Sequence, residues 1–203
     1  MKRVLLILTT LLAFALFSCN QQQEKSTAEK DGQEKENMDT DMDTMASDKS
    51  YTLETLNDSV ASPRMKLTTK VDVSVDFGSP SVKGRAVWGE LVKYDKTWRT
   101  GANEATIIEL SQDVMVNGEG PLAAGKYALF TVPTKEGAWK VVFNSQYDQW
   151  GAYDKDDTKD VLTVEATPEM TEEMTESLVF VAEDDAIIMK WEKLMLPISI
   201  SPA

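Results

Sequence analysis

Lys66-Leu-Thr-Thr-Lys-Val-Asp-Val-Ser-Val-Asp-Phe77 alternates apolar or β-branched residues with polar ones almost without a break. Leu67, Thr69, Val71, Val73, Val75 and Phe77 fall on one side, and Lys66, Thr68, Lys70, Asp72, Ser74 and Asp76 on the other. Successive side chains of a strand point to opposite faces, so a period of two specifies a strand with one buried and one wet face. The whole stretch reads as one strand. Shorter runs of strand character follow at Thr106 to Leu110, Val114 to Val116, Lys126 to Val132, Trp139 to Asn144, Val161 to Ala166, Leu178 to Ala182, Ile187 to Lys193 and Leu196 to Ile200. Turn formers separate them: Asn117-Gly118, Gly125, Pro133, Glu136-Gly137, Pro168 and Asp184-Asp185. No amphipathic helix intervenes, which predicts an all-β fold, an antiparallel β-sandwich of about eight or nine strands. Pro80 to Asn103 has no clean period and predicts one long ordered loop, with a short helical turn near Ala86 to Leu91. Long ordered loops are where sites tend to lie.

The N-terminus has a different character. Lys2 and Arg3 precede an apolar run from Val4 to Phe17, and Leu16-Phe-Ser-Cys19 matches a bacterial lipobox. The run is too short to span about 30 Å of hydrocarbon as a permanent helix. Residues 1–18 therefore read as a lipoprotein signal peptide, and Cys19 as the lipidation site, carrying palmitate-type acyl chains. Cys19 is the only cysteine, so no disulfide is available and the fold must stand on its core. Residues 19–60 are expected to be a flexible acidic tether. Asn20 to Ser50 holds nine acidic and four basic side chains and, apart from three Met, almost nothing large and apolar to bury. Residues 61–203 are then one β-sandwich domain of ordinary size. Asn20 after the cysteine points to the outer membrane, by resemblance to enteric sorting rules. The expected location is the cell envelope, exported and lipid-anchored.

Charge and composition exclude several chemistries. The formal net charge of −13 becomes −15 once Lys2 and Arg3 leave with the leader. That balance disfavours sequence-independent nucleic-acid binding, which needs Lys and Arg to neutralise phosphates, and no nucleic-acid partner is expected. It also disfavours adsorption to anionic lipid, so membrane attachment must come through Cys19. The chain contains no histidine, which removes histidine triads, His-ligated zinc and the commonest general base. No cofactor and no metal is implied. Asp154, Asp156, Thr158, Asp160 and Glu165 have EF-hand-like spacing, but Lys159 stands where the loop wants Gly, so a solvated acidic loop is expected. Gly120 to Lys126 has P-loop spacing but leads into a strand, and reads as a hairpin connection.

Trp98-Arg-Thr-Gly-Ala-Asn-Glu-Ala-Thr106 is the most distinctive segment. Beyond the leader the only arginines are Arg64, Arg85 and Arg99, beside sixteen lysines. Arginine suits rigid bidentate pairing and stacking on aromatic rings. One reading is a pocket in which Arg85 or Arg99 grips a ligand over Trp98 or Trp150, oriented by Asn103 and Glu104. The other is an internal pair of Arg85 or Arg99 with Glu104 or Asp160, tying the long loop to the sandwich. Trp150-Gly-Ala-Tyr153 is a second aromatic cluster, suited either to a sugar platform or to capping the core. Trp88, Trp139 and Trp191 read as core or rim.

Pro80-Ser-Val-Lys-Gly-Arg85, Trp88-Gly89, Trp98 to Thr106, Ala124-Gly-Lys-Tyr-Ala-Leu-Phe-Thr-Val-Pro133 and Gln149-Trp-Gly-Ala-Tyr153 together resemble the bacterial family catalogued as domain of unknown function 2911. The resemblance covers about Ser62 to Ile200. It implies a secreted or lipid-anchored envelope protein and implies no activity, substrate or cofactor. The expected function is a ligand-binding module for a saccharide, peptide or small anion, using Arg85, Trp98, Arg99, Asn103, Glu104, Trp150 and Tyr153. A structural or assembly lipoprotein without a ligand is the alternative. A hydrolase with Glu104 as base and Asp160 or Asp148 as partner is a third.

Overall fold

The computed structural model describes residues 51–57, 61–70 and 73–203. The expected signal peptide, the lipidation expected at Cys19 and residues 20–50 of the expected tether lie outside the described residues. Eleven strands form two antiparallel sheets. The larger contains β1 (Tyr51–Asn57), β2 (Arg64–Thr69), β3 (Val73–Gly78), β4 (Thr106–Leu110), β7 (Gly125–Val132), β8 (Trp139–Asn144) and β9 (Asp160–Ala166), in that spatial order. The smaller has the order β10 (Glu169–Glu183), β11 (Ala186–Pro202), β5 (Val114–Val116) and β6 (Glu119–Leu122). The two do not close into a barrel, and the architecture is sandwich-like.

Apolar side chains alternate inward from both sheets, which is what a shared core requires. Leu67, Val75, Phe77, Ile108, Leu129, Val141 and Phe143 from the larger sheet join Phe180, Met189, Trp191, Leu196 and Ile198 from the smaller in one cluster. Phe77 and Phe180 meet edge to face across it, centroids 4.9 Å apart. A second, smaller cluster of Ala105, Ala128, Phe130 and Val142 lies on the other face of the large sheet, with Ala152 packed on it.

Several expectations are corrected. Lys66 to Phe77 is a hairpin rather than one strand. Leu67 lies opposite Val75, and Met65 opposite Phe77. Partners are both odd-numbered, so inward residues stay odd through the turn and the alternation reads as though unbroken. Among the described residues there are eleven strands rather than eight or nine. Strand β1 pairs with β2 inside the stretch assigned to the tether, and β6 was missed. Strand β11 is continuous where two strands are expected. The Gly120 to Lys126 stretch is not a hairpin connection, because it carries the chain from β6 in one sheet to β7 in the other. Ala86 to Leu91 forms no helical turn. Its backbone closes on itself through the Trp88–Val92 bridge and the Val92 N–H bond to Val87 O (2.9 Å).

The long excursion is ordered and tied at both ends. Ser79 Oγ donates to Leu178 O (2.6 Å), Leu178 N–H to Pro80 O (2.9 Å) and Val82 N–H to Glu176 O (2.8 Å), which stitches its start to β10. Beneath it Trp88, Trp98, Trp139 and Trp191 pack together, with Trp88 edge-on to the other three and Trp98 stacked on Trp191 at 5.9 Å.

Candidate functional site

Trp98 and Thr106 both lie along β7. Trp98 exchanges backbone bonds with Thr131 (2.8 and 2.9 Å), and Thr106 stands opposite Leu129. The residues between them leave the ladder as a loop. Thr106 closes its neck, donating its N–H to Arg99 O (3.2 Å) and its Oγ1 to Thr100 O (2.9 Å). The Trp98 indole N–H donates to Gly101 O (3.0 Å). Thr100 is buried at φ 54°. A β-branched residue there is an outlier that costs on the order of 1–3 kcal/mol and persists only where its surroundings dictate it. Asn103, at φ 63°, is a residue type that tolerates that region. At Gly101 a Cβ would come within 2.8 Å of Thr106 Oγ1 and 3.0 Å of Gly78 O. The loop backbone is thus pressed on the end of β3, and Thr100, Gly101 and Ala102 are consumed in holding it there. Arg99, Asn103 and Glu104 remain for the surface.

Two cavities flank this loop. The larger, about 480 Å³, has Leu56, Ile107, Tyr147 and Trp150 as its apolar lining, with Arg64, Asn103, Glu104, Asp148 and Gln149 among the polar residues. Trp150 is 60% exposed, and the 149–150 segment is held to the loop by the Glu104–Trp150 bridge and the Ala105 N–H bond to Gln149 O (3.0 Å). The smaller, about 230 Å³, is lined by residues that include Arg85, Leu91, Trp98, Arg99 and Trp191. Ser62 and Asn103 line both, and Asn103 Nδ2 donates to Ser62 O (3.3 Å) between them.

The predicted residues therefore divide. Arg85, Trp98, Arg99 and Asn103 line the smaller cavity, while Asn103, Glu104 and Trp150 line the larger. Tyr153, 83% exposed, lines neither, though it lies beside Gly151 and Arg99. Trp98 is not an open platform. It is 7% exposed and belongs to the tryptophan cluster. The cation that pairs with Glu104 is Arg64, at 3.6 Å, not Arg85 or Arg99. Arg64 also pairs with Asp76 and donates to Ala105 O (3.2 Å), so it ties β2, β3 and the loop together. Arg85 donates to the carbonyls of Val82 and Ser81 in its own turn. Arg99 has no carboxylate partner among the described residues, and its Nε is buried without an acceptor. Burial lowers its pKa below the usual arginine value, with nearby Tyr153 acting weakly the other way. Asp160 lines neither cavity and pairs with Lys155 (2.7 Å).

The acidic loop is structural. Asp156 caps the three-residue 3-10 turn Asp157–Lys159, accepting from Thr158 N–H (2.9 Å) and Oγ1 (2.6 Å). Asp160 also accepts from Asn144 Nδ2 (2.7 Å). Lys155, its side chain 7% exposed, holds Asp157 and Asp160 and lies 5.5 Å from the Phe130 ring centre. Sequence reasoning missed Arg64, Tyr147 and Gln149 as cavity residues. Each carried a signal: Arg64 is one of three arginines beyond the leader, Gln149 opens the Gln149 to Tyr153 motif, and Tyr147 stands three positions before Trp150.

The family described as Protein of unknown function (DUF2911) matches residues 59–200. The chain belongs to the DUF2911 family. No curated protein and no solved structure matches it. The DUF2911 match contains every strand from β2 to β10 and both cavity-lining loops, so the candidate site lies wholly within the family's own region apart from Leu56 and Asn57.

Proposed function

We propose that this DUF2911 protein is a ligand-binding module of the cell envelope, anchored through lipid on Cys19, that takes a saccharide in the cavity beside Trp150. One observation carries the reading. Tyr147 and Trp150 expose aromatic surface on the wall of a cavity of about 480 Å³ whose polar lining is Arg64, Asn103, Glu104, Asp148 and Gln149. Sugar C–H groups pack on an aromatic face while hydroxyls need both donors and acceptors, and this lining offers Arg and amide donors beside carboxylate acceptors. A large exposed indole does nothing for the core, so its position on a cavity wall favours a ligand over a purely structural role.

Glu104 and Asp148 line the same cavity, which keeps a carboxylate-based hydrolase as the second reading. Asp160 is not its partner. A glycan array probed with the full chain in detergent tests the proposal. Wild type is expected to bind, and Trp150→Ala to weaken binding by about tenfold with an unchanged melt. Shortening of the bound glycan on the array would favour the hydrolase. Equal binding by wild type and Trp150→Ala would place the ligand elsewhere.

A further inference from the structure

Among the described residues no carboxylate lines the smaller cavity, and donors around it are unspent. Arg99 Nε and the indole N–H of Trp191, both on its lining residues, are buried without acceptors. Arg85 uses Nε and one terminal nitrogen on Val82 O and Ser81 O, leaving its Nη1 without a bond among the described residues. A buried N–H left unmatched pays its full desolvation, and a buried guanidinium more so. Acidic side chains outnumber basic ones by 34 to 21, so a carboxylate partner for Arg99 would be easy to supply. None is placed there among the described residues.

We infer that the smaller cavity is an oxyanion subsite, and that the saccharide beside Trp150 is an acidic one whose carboxylate, phosphate or sulfate seats on Arg99 with Arg85 at the rim. The inference rests on the saccharide reading. Ser62 and Asn103 line both cavities, so the two share a wall across which one ligand would have to reach. The fork of Arg99 fits two oxygens of one oxyanion, and the indole N–H of Trp191 supplies a third donor. The chain's negative charge repels free anions that come within the screening distance, roughly 8 Å at physiological salt. Retention therefore requires the sugar ring as well as the charge, which selects acidic glycans over inorganic anions.

The test uses the full chain in detergent on an array pairing each neutral glycan with its uronate, phosphate-ester and sulfate-ester forms. Inorganic phosphate is titrated separately by tryptophan fluorescence. Acidic forms are expected to bind about tenfold or more tighter than their neutral partners, a charge-assisted hydrogen bond's worth of discrimination. Arg99→Gln should erase that margin and leave neutral binding intact, while Arg99→Lys keeps part of it. Arg85→Gln should reduce it. Which of the three ester or acid forms leads identifies the oxyanion. Equal binding of neutral and acidic forms, or a margin that survives Arg99→Gln, overturns the subsite and leaves the saccharide reading standing. No glycan bound, with Arg99-dependent quenching by inorganic phosphate, overturns the saccharide reading alone. Neither glycan nor phosphate bound overturns both.

Discussion

Lys155 anchors the loop that carries Trp150, and its charge is met by Asp157 and Asp160. Burial pulls its pKa down, but the hydrogen bonds and charges of the two aspartates outweigh burial and raise it. A lysine raised on folding contributes stability that is complete below its unfolded pKa, about 10.4, and is lost as pH rises through the folded value. Burial raises the Tyr127 pKa, with Asp113 adding to it, and this acts in the same direction above about pH 10. Urea midpoints are therefore expected to fall from about pH 10 upward, and to fall less in Lys155→Met. At pH 7 that variant leaves Asp160 with Asn144 alone, and should lose about 1.5–3 kcal/mol, a charged hydrogen bond's contribution. The corresponding drop in Tm is roughly 3–12 °C for a domain of this size. None of this was legible beforehand, because Lys155 looks like any lysine in an acidic loop. Trp98 and Trp150 show the same limit. Each precedes a short run containing Gly, yet one is stacked in the core and the other is open, and only the tertiary fold separates them.

Strands were legible where burial is one-sided, since alternation then follows from the pleat. Runs such as Thr106 to Leu110 and Trp139 to Asn144 match β4 and β8 to the residue. Strand β1 was hidden because it is an exposed edge with little to bury, and β6 because Glu119-Gly-Pro-Leu122 has low strand propensity. The helical turn expected at Ala86 to Leu91 fails because Val87 and Val92 turn inward from an irregular loop. The shape of the Trp98 to Thr106 loop depends on a contact no local pattern encodes. Its backbone crosses Gly78, where a Cβ would come within 2.8 Å of the Ala102 carbonyl carbon. Backbone cannot move aside as a side chain does, so Gly78→Ala should cost about 3 kcal/mol or more, beyond ordinary overpacking. The loop should shift with it. Thermal denaturation together with glycan binding checks this, and a variant of native stability and affinity would mean that the crossing is looser than described.

The chain joins a histidine-free acidic domain to an N-terminal apolar run that ends at Cys19. If Cys19 carries the anchor, Cys19→Ser should leave the precursor uncleaved or release the protein from membranes. Unchanged processing and fractionation would remove the anchor. The charge balance bears equally on the candidate site. The half-buried Arg99 guanidinium has no carboxylate partner among the described residues, and the proposed subsite requires that its role lie outside the fold. The thermal melt of the full chain against Arg99→Ala decides this without any ligand in hand. No carboxylate among the described residues is orphaned by the change, so the loss should stay under about 1 kcal/mol, or roughly 2–4 °C in Tm. A fall of some 6–20 °C, as expected when a buried ion pair is broken at about 3–5 kcal/mol, would make Arg99 a structural strut and remove the ground for a binding site there.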